Sequence, residues 1–109
     1  TTMTSYEQRA YDALAMKLTE AGYAYENTSW GNDATASISV TCMRVVDQEV
    51  QRFEFQIYIP NCDYFDPDNE YFNTYAVTEE GGNITLDFNQ ADSVVEHIQD
   101  CTRDVHFTN

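Results

Sequence analysis

Apolar residues recur first at a helical spacing. Tyr6, Ala10, Leu14, Leu18 and Ala21 follow one another at intervals of four, four, four and three, which lines one face of a helix. Thr4 followed by Glu7 has the form of a capping box, and Gly22 supplies a stop. The spacing therefore predicts a helix near residues 5–21, with Glu7 and Glu20 off the apolar face, in solvent. From Tyr23 the period drops towards two. "YAYENTSW" alternates loosely, and "GND" at 31–33 is a turn signal. In "ATASISVTCMRVV", Ala36, Ile38, Val40 and Cys42 share one side of a strand and Ser37, Ser39 and Thr41 the other. Asp47 and Gln48 then make a turn. In "EVQRFEFQIYIP", Phe53, Phe55, Ile57 and Ile59 line one side, opposite Arg52, Glu54, Gln56 and Tyr58, and Pro60 ends the strand. The hairpin from Ala36 to Ile59 is the expected centre of the sheet.

"YFNTYAVT" reads as a fourth strand, "EEGG" as a hairpin turn and "NITLDF" as a fifth strand, with Ile84, Leu86 and Phe88 inward. Asn89 and Asp92 open a last helix near residues 90–104, whose buried stripe is Val94, Val95, Ile98, Cys101 and Val105. The order is helix, five strands, helix. Clean alternation in the strands favours an α+β fold: a five-stranded antiparallel sheet with the N-terminal and C-terminal helices packed on one face. The other face, rich in Ser, Thr, Gln and Glu, is left for water or a partner. Residues 1–109 read as a single acidic α+β domain, without repeat or linker.

Charge changes the picture. Lys plus Arg number 5 and Asp plus Glu 19, for a net charge of −14 on 109 residues. Aromatics at 14% are too many for a disordered acidic tail. Such a surface repels nucleic acid and anionic membrane, so neither is expected to bind directly. The expected partner is a basic surface. No apolar run approaches the ~20 residues of a membrane span, and no signal-peptide pattern opens the chain. The three cysteines, Cys42, Cys62 and Cys101, are widely spaced without a CxxC. They suggest a reducing cytoplasmic compartment, with Cys42 and Cys101 as core residues.

"NCDYFDPDNEYFNTY", residues 61 to 75, concentrates acids and rings without a cation. An EF-hand loop needs acids at its first, third and fifth positions, Gly at the sixth and Glu at the twelfth. Starting at Asp66 puts Tyr71 and Val77 at the last two of these. Starting at Asp63 puts Phe65 and Pro67 at the third and fifth. The residual metal reading is a weak calcium site of Asp63, Asp66 and Asp68, and no cofactor is expected. Catalysis finds no foothold: no GxSxG, no local Cys–His arrangement and no glycine-rich phosphate loop are present. His97 reads as a surface histidine, and His106 lies near the C-terminus. Tyr23, Tyr25, Tyr58, Phe72 and Tyr75 could stack bases, but a stacking platform comes with a basic groove, and the sheet offers Arg44 and Arg52 alone. The rings read better as cover for the sheet.

The acids themselves remain. A plain solvated face is one account of them. Geometry offers another, because alternate strand residues stand ~6.6–6.8 Å apart, comparable to neighbouring backbone phosphates. Asp47, Glu49 and Glu54 surround the first hairpin, and Glu79 and Glu80 sit in the later turn. Asp63, Asp66, Asp68 and Glu70 fill the loop, which Tyr64, Phe65, Tyr71 and Phe72 pin down. Asp92, Glu96, Asp100 and Asp104 recur every four residues down the last helix. Like charges at that spacing weaken a helix by a few tenths of a kcal/mol per pair, a cost that suggests a use.

In size, charge, scarcity of Lys and the "DYFDPDNEYF" and Asp92-to-Asp104 arrays, the chain resembles the small acidic DNA-mimic proteins of phages and mobile elements. These include anti-CRISPR and anti-restriction inhibitors, a class that shares character rather than sequence. The resemblance implies a non-enzymatic inhibitor acting in the bacterial host cytoplasm. It would occupy the DNA- or RNA-binding cleft of a defence complex, with carboxylates meeting Lys and Arg and rings such as Tyr64 and Tyr71 anchoring. The helix–sheet–helix order also resembles small acidic secretion chaperones, which bind an effector segment and usually form homodimers. Those carry a helix in mid-chain, where this chain has Pro60, Pro67 and the acidic aromatic loop, so the chaperone ranks second.

Overall fold

The computed structural model describes residues 5–29, 36–60, 74–79 and 85–103. The elements are α1 (Ser5–Glu20), β1 (Tyr25–Asn27), β2 (Ser37–Val46), β3 (Glu49–Tyr58), β4 (Tyr75–Glu79), β5 (Thr85–Phe88) and α2 (Ala91–Arg103). The strands form one five-stranded antiparallel sheet in chain order, β1 to β5. The α+β architecture expected from the alternation is the one observed.

Two of the reversals in the chain have a local cause. Gly22 holds a φ of 85°, the left-handed region that favours glycine. That conformation lets the Tyr23 amide donate to Leu18 O (2.9 Å) and the Gly22 amide to Thr19 O (3.1 Å), which satisfies the last helical carbonyls. At the hairpin tip, Val46 pairs with Glu49, leaving a two-residue turn of Asp47 and Gln48. Their φ values of 51° and 69° are both positive, the twist that a two-residue turn needs to match its strands.

The core is one cluster. Ile38, Val40 and Cys42 from β2 stand directly opposite Ile57, Phe55 and Phe53 from β3, and Val77 of β4 stands opposite Ile57. Leu14 and Leu18 of α1 and Val94, Val95 and Ile98 of α2 close over that same side, so both helices share one face. Tyr75 ties the layers together, its hydroxyl donating to Ala10 O at 2.7 Å. Burial pushes that phenol up to about 12 and the Cys42 thiol up to about 11.

Several expectations change. Glu7 is not in solvent. It is 5% exposed, and its Oε2 accepts from the Ala36 amide at 2.6 Å, because β2 starts against the first turns of α1 and its first N–H needs an acceptor there. His97 is no surface residue either: its ring packs against Phe55 (6.0 Å between centroids) and Phe88 (5.3 Å), and its Nε2 lies 3.6 Å from Cys101 Sγ. Leu86 shares the inner face with Val77 yet stays exposed, since the sheet runs past its helical cover there. The polar face is not uniformly open: Ser37 and Ser39 are buried among their own hydrogen-bond partners. Ser39 donates to Glu54, the Thr28 and Ser37 hydroxyls lie 2.9 Å apart, and Gln56 Nε2 donates to Thr28. Cys42 is core, whereas Cys101 is only partly buried at its rim.

Candidate functional site

The acidic row of the last helix is built by the same residues that build the core. Val94, Val95 and Ile98 turn one side of α2 inward, and with 3.6 residues per turn this forces Asp92, Glu96 and Asp100 onto the outer side. All three are exposed. Steps of four along a helix separate them by roughly 6 Å each, close to the interval that alternate strand residues provide. Asp92 sits in the first turn, where the helix dipole favours it; Asp100 sits near the other end, where it does not.

Lys17 reaches the row from α1. Lys17 Nζ lies 3.2 Å from Asp92 Oδ1 and 3.8 Å from Glu20 Oε2, bridging α1 to the start of α2. The hydrogen bond to Asp92 leads the causes that hold the Lys17 ammonium above its ordinary value, followed by the charges of Asp92 and Glu20. Nothing in the local sequence pairs Lys17 with Asp92; only the packing of α1 on α2 does. The first carboxylate of the row is thus shared with Lys17 of α1, and all three acids of the row remain exposed.

The other predicted residues divide. Asp47 and Glu49 are exposed at the hairpin tip. Glu54 is partly buried and engaged by Ser39, so it is not an outward acid. Glu79 ends β4 directly across from Phe55, half-buried on the helix side of the sheet. Asp63, Tyr64, Asp66, Asp68, Glu70 and Tyr71 lie outside the described residues, as do Glu80, Asp104 and His106. Among the described residues no group of three or more His, Cys, Asp or Glu could hold a metal ion. The calcium ligands considered above fall outside them.

An open depression of about 340 Å³ lies between α1 and the start of α2, lined by Tyr6, Arg9, Ala13, Pro60, Tyr75 and Gln90 among others. The Arg9 guanidinium stands 5.8 Å above the Tyr6 ring. Its lining contains no carboxylate, histidine, serine or cysteine, so it brings together no acid–base pair and no nucleophile. Phe72 lies outside the described residues, and the described rings do not line up as a platform: Tyr75 is buried, Tyr23 hydrogen-bonds Thr102 at 3.3 Å, and Tyr25 and Tyr58 occupy opposite faces of the sheet. No helix among the described residues is long and apolar enough to cross a membrane.

No protein-family model, curated protein or solved structure matches this chain. The reading of its surface therefore stands on geometry and charge.

Proposed function

We propose that the protein is a non-enzymatic inhibitor that imitates the charge of a nucleic acid and occupies the Lys/Arg-lined cleft of a bacterial nucleic-acid-binding defence complex, in the manner of anti-CRISPR and anti-restriction proteins. The observation that carries this reading is the exposed row of Asp92, Glu96 and Asp100 on a helix anchored to the core by its other side. A row of carboxylates held on a rigid element keeps its spacing when it meets a basic groove, so little ordering remains to be done on binding. The proposal counts Asp63, Asp66, Asp68, Glu70 and Asp104 as further carboxylates for the same basic target. The net charge of −14 steers the chain to a basic target and away from nucleic acid itself.

The test is affinity capture from a bacterial lysate at low and then high salt, with identification of what is retained. The wild type is expected to hold a basic nucleic-acid-binding protein and to release it as salt rises. Reversal of the row by Asp92→Lys, Glu96→Lys and Asp100→Lys is expected to abolish that retention, because truncating desolvated interfacial charge costs ~2–5 kcal/mol per contact. Reversal of Asp12 and Glu26, exposed acids away from the row, is expected to leave it intact. Equal retention by both sets of variants overturns the proposal. Retention of an apolar effector segment that withstands salt replaces it with the chaperone reading.

A further inference from the structure

His97 and Cys101 stand one turn apart on α2, so they share a side of the helix. His97 Nε2 lies 3.6 Å from Cys101 Sγ, within hydrogen-bond reach for sulfur. This is a local Cys–His arrangement where none was expected. Two rings hold the imidazole: Phe55 of β3 meets it nearly edge-on at 76°, and Phe88 of β5 lies 5.3 Å away, tilted by 36°. The helix that carries both groups is itself fixed, because Val94 and Ile98 are fully buried. His97 and Cys101 are each partly exposed.

Cys42 is the contrast within the same molecule. It is 5% exposed on the inner face of β2, and burial pushes its thiol up to about 11, with Cys101 adding to the effect. A thiol kept protonated is a poor nucleophile, because the thiolate is what attacks. Cys101 instead has a partly exposed setting and a ring nitrogen aimed at its sulfur. In the tautomer with its proton on Nδ1, the imidazole accepts the thiol proton at Nε2. A nucleophile with a base in reach, and the base oriented by further groups, is the arrangement that activates a thiol. Among the described residues no His, Cys, Asp or Glu completes a group of three with this pair that could hold a metal ion. Nucleophilic chemistry is what the geometry suits.

Charge narrows the reagent. Glu96 and Asp100 immediately precede His97 and Cys101, and both acids are exposed. With a net charge of −14 behind them, they repel an anionic reagent and attract a cationic one.

We propose that Cys101, with His97 as its proton acceptor, is a thiol modification site that exchanges with small cationic disulfides. In the reaction the Sγ proton passes to His97 Nε2, and Sγ forms a bond to one sulfur of the disulfide. The bond between the two reagent sulfurs breaks, its electron pair leaves on the other sulfur, and that thiolate takes the proton from His97. One disulfide goes in, and a mixed disulfide at Cys101 and one free thiol come out, so the exchange needs no further oxidant. The site stands apart from the inhibitor reading, since it is read out on the isolated chain without a basic protein.

Cystamine, a dicationic disulfide, is the probe. Its rate of reaction with each cysteine is measured by peptide mapping and mass spectrometry at neutral pH, for the native chain and for the chain unfolded in urea. Native Cys101 is expected to react about ten-fold faster or more than the same thiol in the unfolded chain, and native Cys42 more slowly. His97→Phe keeps a ring against Phe55 and Phe88 and removes the base. It is expected to erase most of the gain at Cys101 with an unchanged circular dichroism spectrum. Oxidised glutathione, which is anionic, is expected to react more slowly than cystamine at native Cys101 once each rate is divided by its unfolded-chain value. That gap should narrow between about 50 mM and about 500 mM salt. A native Cys101 that reacts no faster than the unfolded thiol overturns the proposal without any variant. A folded His97→Phe chain that reacts as fast as the wild type overturns it too, and equal normalised rates for the two disulfides overturn the cationic class of reagent.

Discussion

At its base the β2–β3 hairpin sets Ile38 and Val40 against Ile57 and Phe55, all 0% exposed; nearer its tip the same two strands leave Met43 and Val50 at 68%. Backbone pairing is continuous through both halves. The difference is in what lies beside and above each. The base has β1 and β4 as neighbours and two helices on one face, and Glu7 of α1 holds its first amide at Ala36. Towards the tip, the arm of the hairpin has among the described residues a turn, backbone bonds and charge, with neither β1 nor β4 beside it. Alternation creates a face that can be buried, and burial then depends on whether another layer reaches it.

The sharpest break of that contrast is at Phe55. Phe55→Ala removes a fully buried ring from the centre of the core and is expected to cost ~3–5 kcal/mol, whereas Val50→Ala on the arm is expected to cost no more than ~0.5 kcal/mol. Urea denaturation of both variants checks this; comparable losses would mean that the arm is packed against something. Next in size is the anchor. Glu7→Ala leaves the Ala36 amide without this acceptor in a buried setting, for an expected loss of ~1–3 kcal/mol, while Glu49→Ala on the arm should change stability by no more than ~0.5 kcal/mol. Equal midpoints for those two variants would show that the clamp contributes nothing.

Alkali should act more gently still, and through the base. The native state holds the Cys42 thiol protonated to about 11 against an ordinary 9.0, chiefly through burial and then through Cys101, and burial chiefly holds Tyr75 to about 12 against 10.0. The unfolded chain releases those protons first. The stability contribution is therefore complete below about pH 9 and is lost as pH rises towards about 12, by about 1–2 kcal/mol at about pH 10. Thermal melts of the wild type and of Tyr75→Phe across that range test it. The variant should lose less stability per pH step above about pH 10, and a flat profile for the wild type would contradict the burial of both groups.

Much of the architecture was legible in residue order. The Leu14/Leu18 face, the Ile38–Val40–Cys42 and Phe53–Phe55–Ile57 faces, the Asp47–Gln48 turn and the Gly22 stop are local patterns, and local backbone preferences produced each of them. What could not be read depended on distant neighbours. Glu7 looked like a solvent residue because its partner, the Ala36 amide, belongs to a strand far along the chain. His97 looked exposed because a helical wheel cannot show that the rings of Phe55 and Phe88 reach its flank. The row of Asp92, Glu96 and Asp100 was visible as a period of four, but its Lys17 bridge was not. Leu86 fitted its alternation and still stayed exposed, since periodicity gives a direction and not the extent of the layer above.

Strand order has a consequence for synthesis. Each strand of the sheet neighbours the one made just before it, so pairing can follow the chain as it leaves the ribosome, without a crossover between distant strands. α2 follows all of them. Until Val94, Val95 and Ile98 have been made, Phe55, Ile57 and Val77 lack part of their lid, and the nascent protein shows its greasiest side to the cell for the length of one helix. Three of the 19 acids, Asp92, Glu96 and Asp100, arrive on that same last helix, so the cover and the exposed row come together.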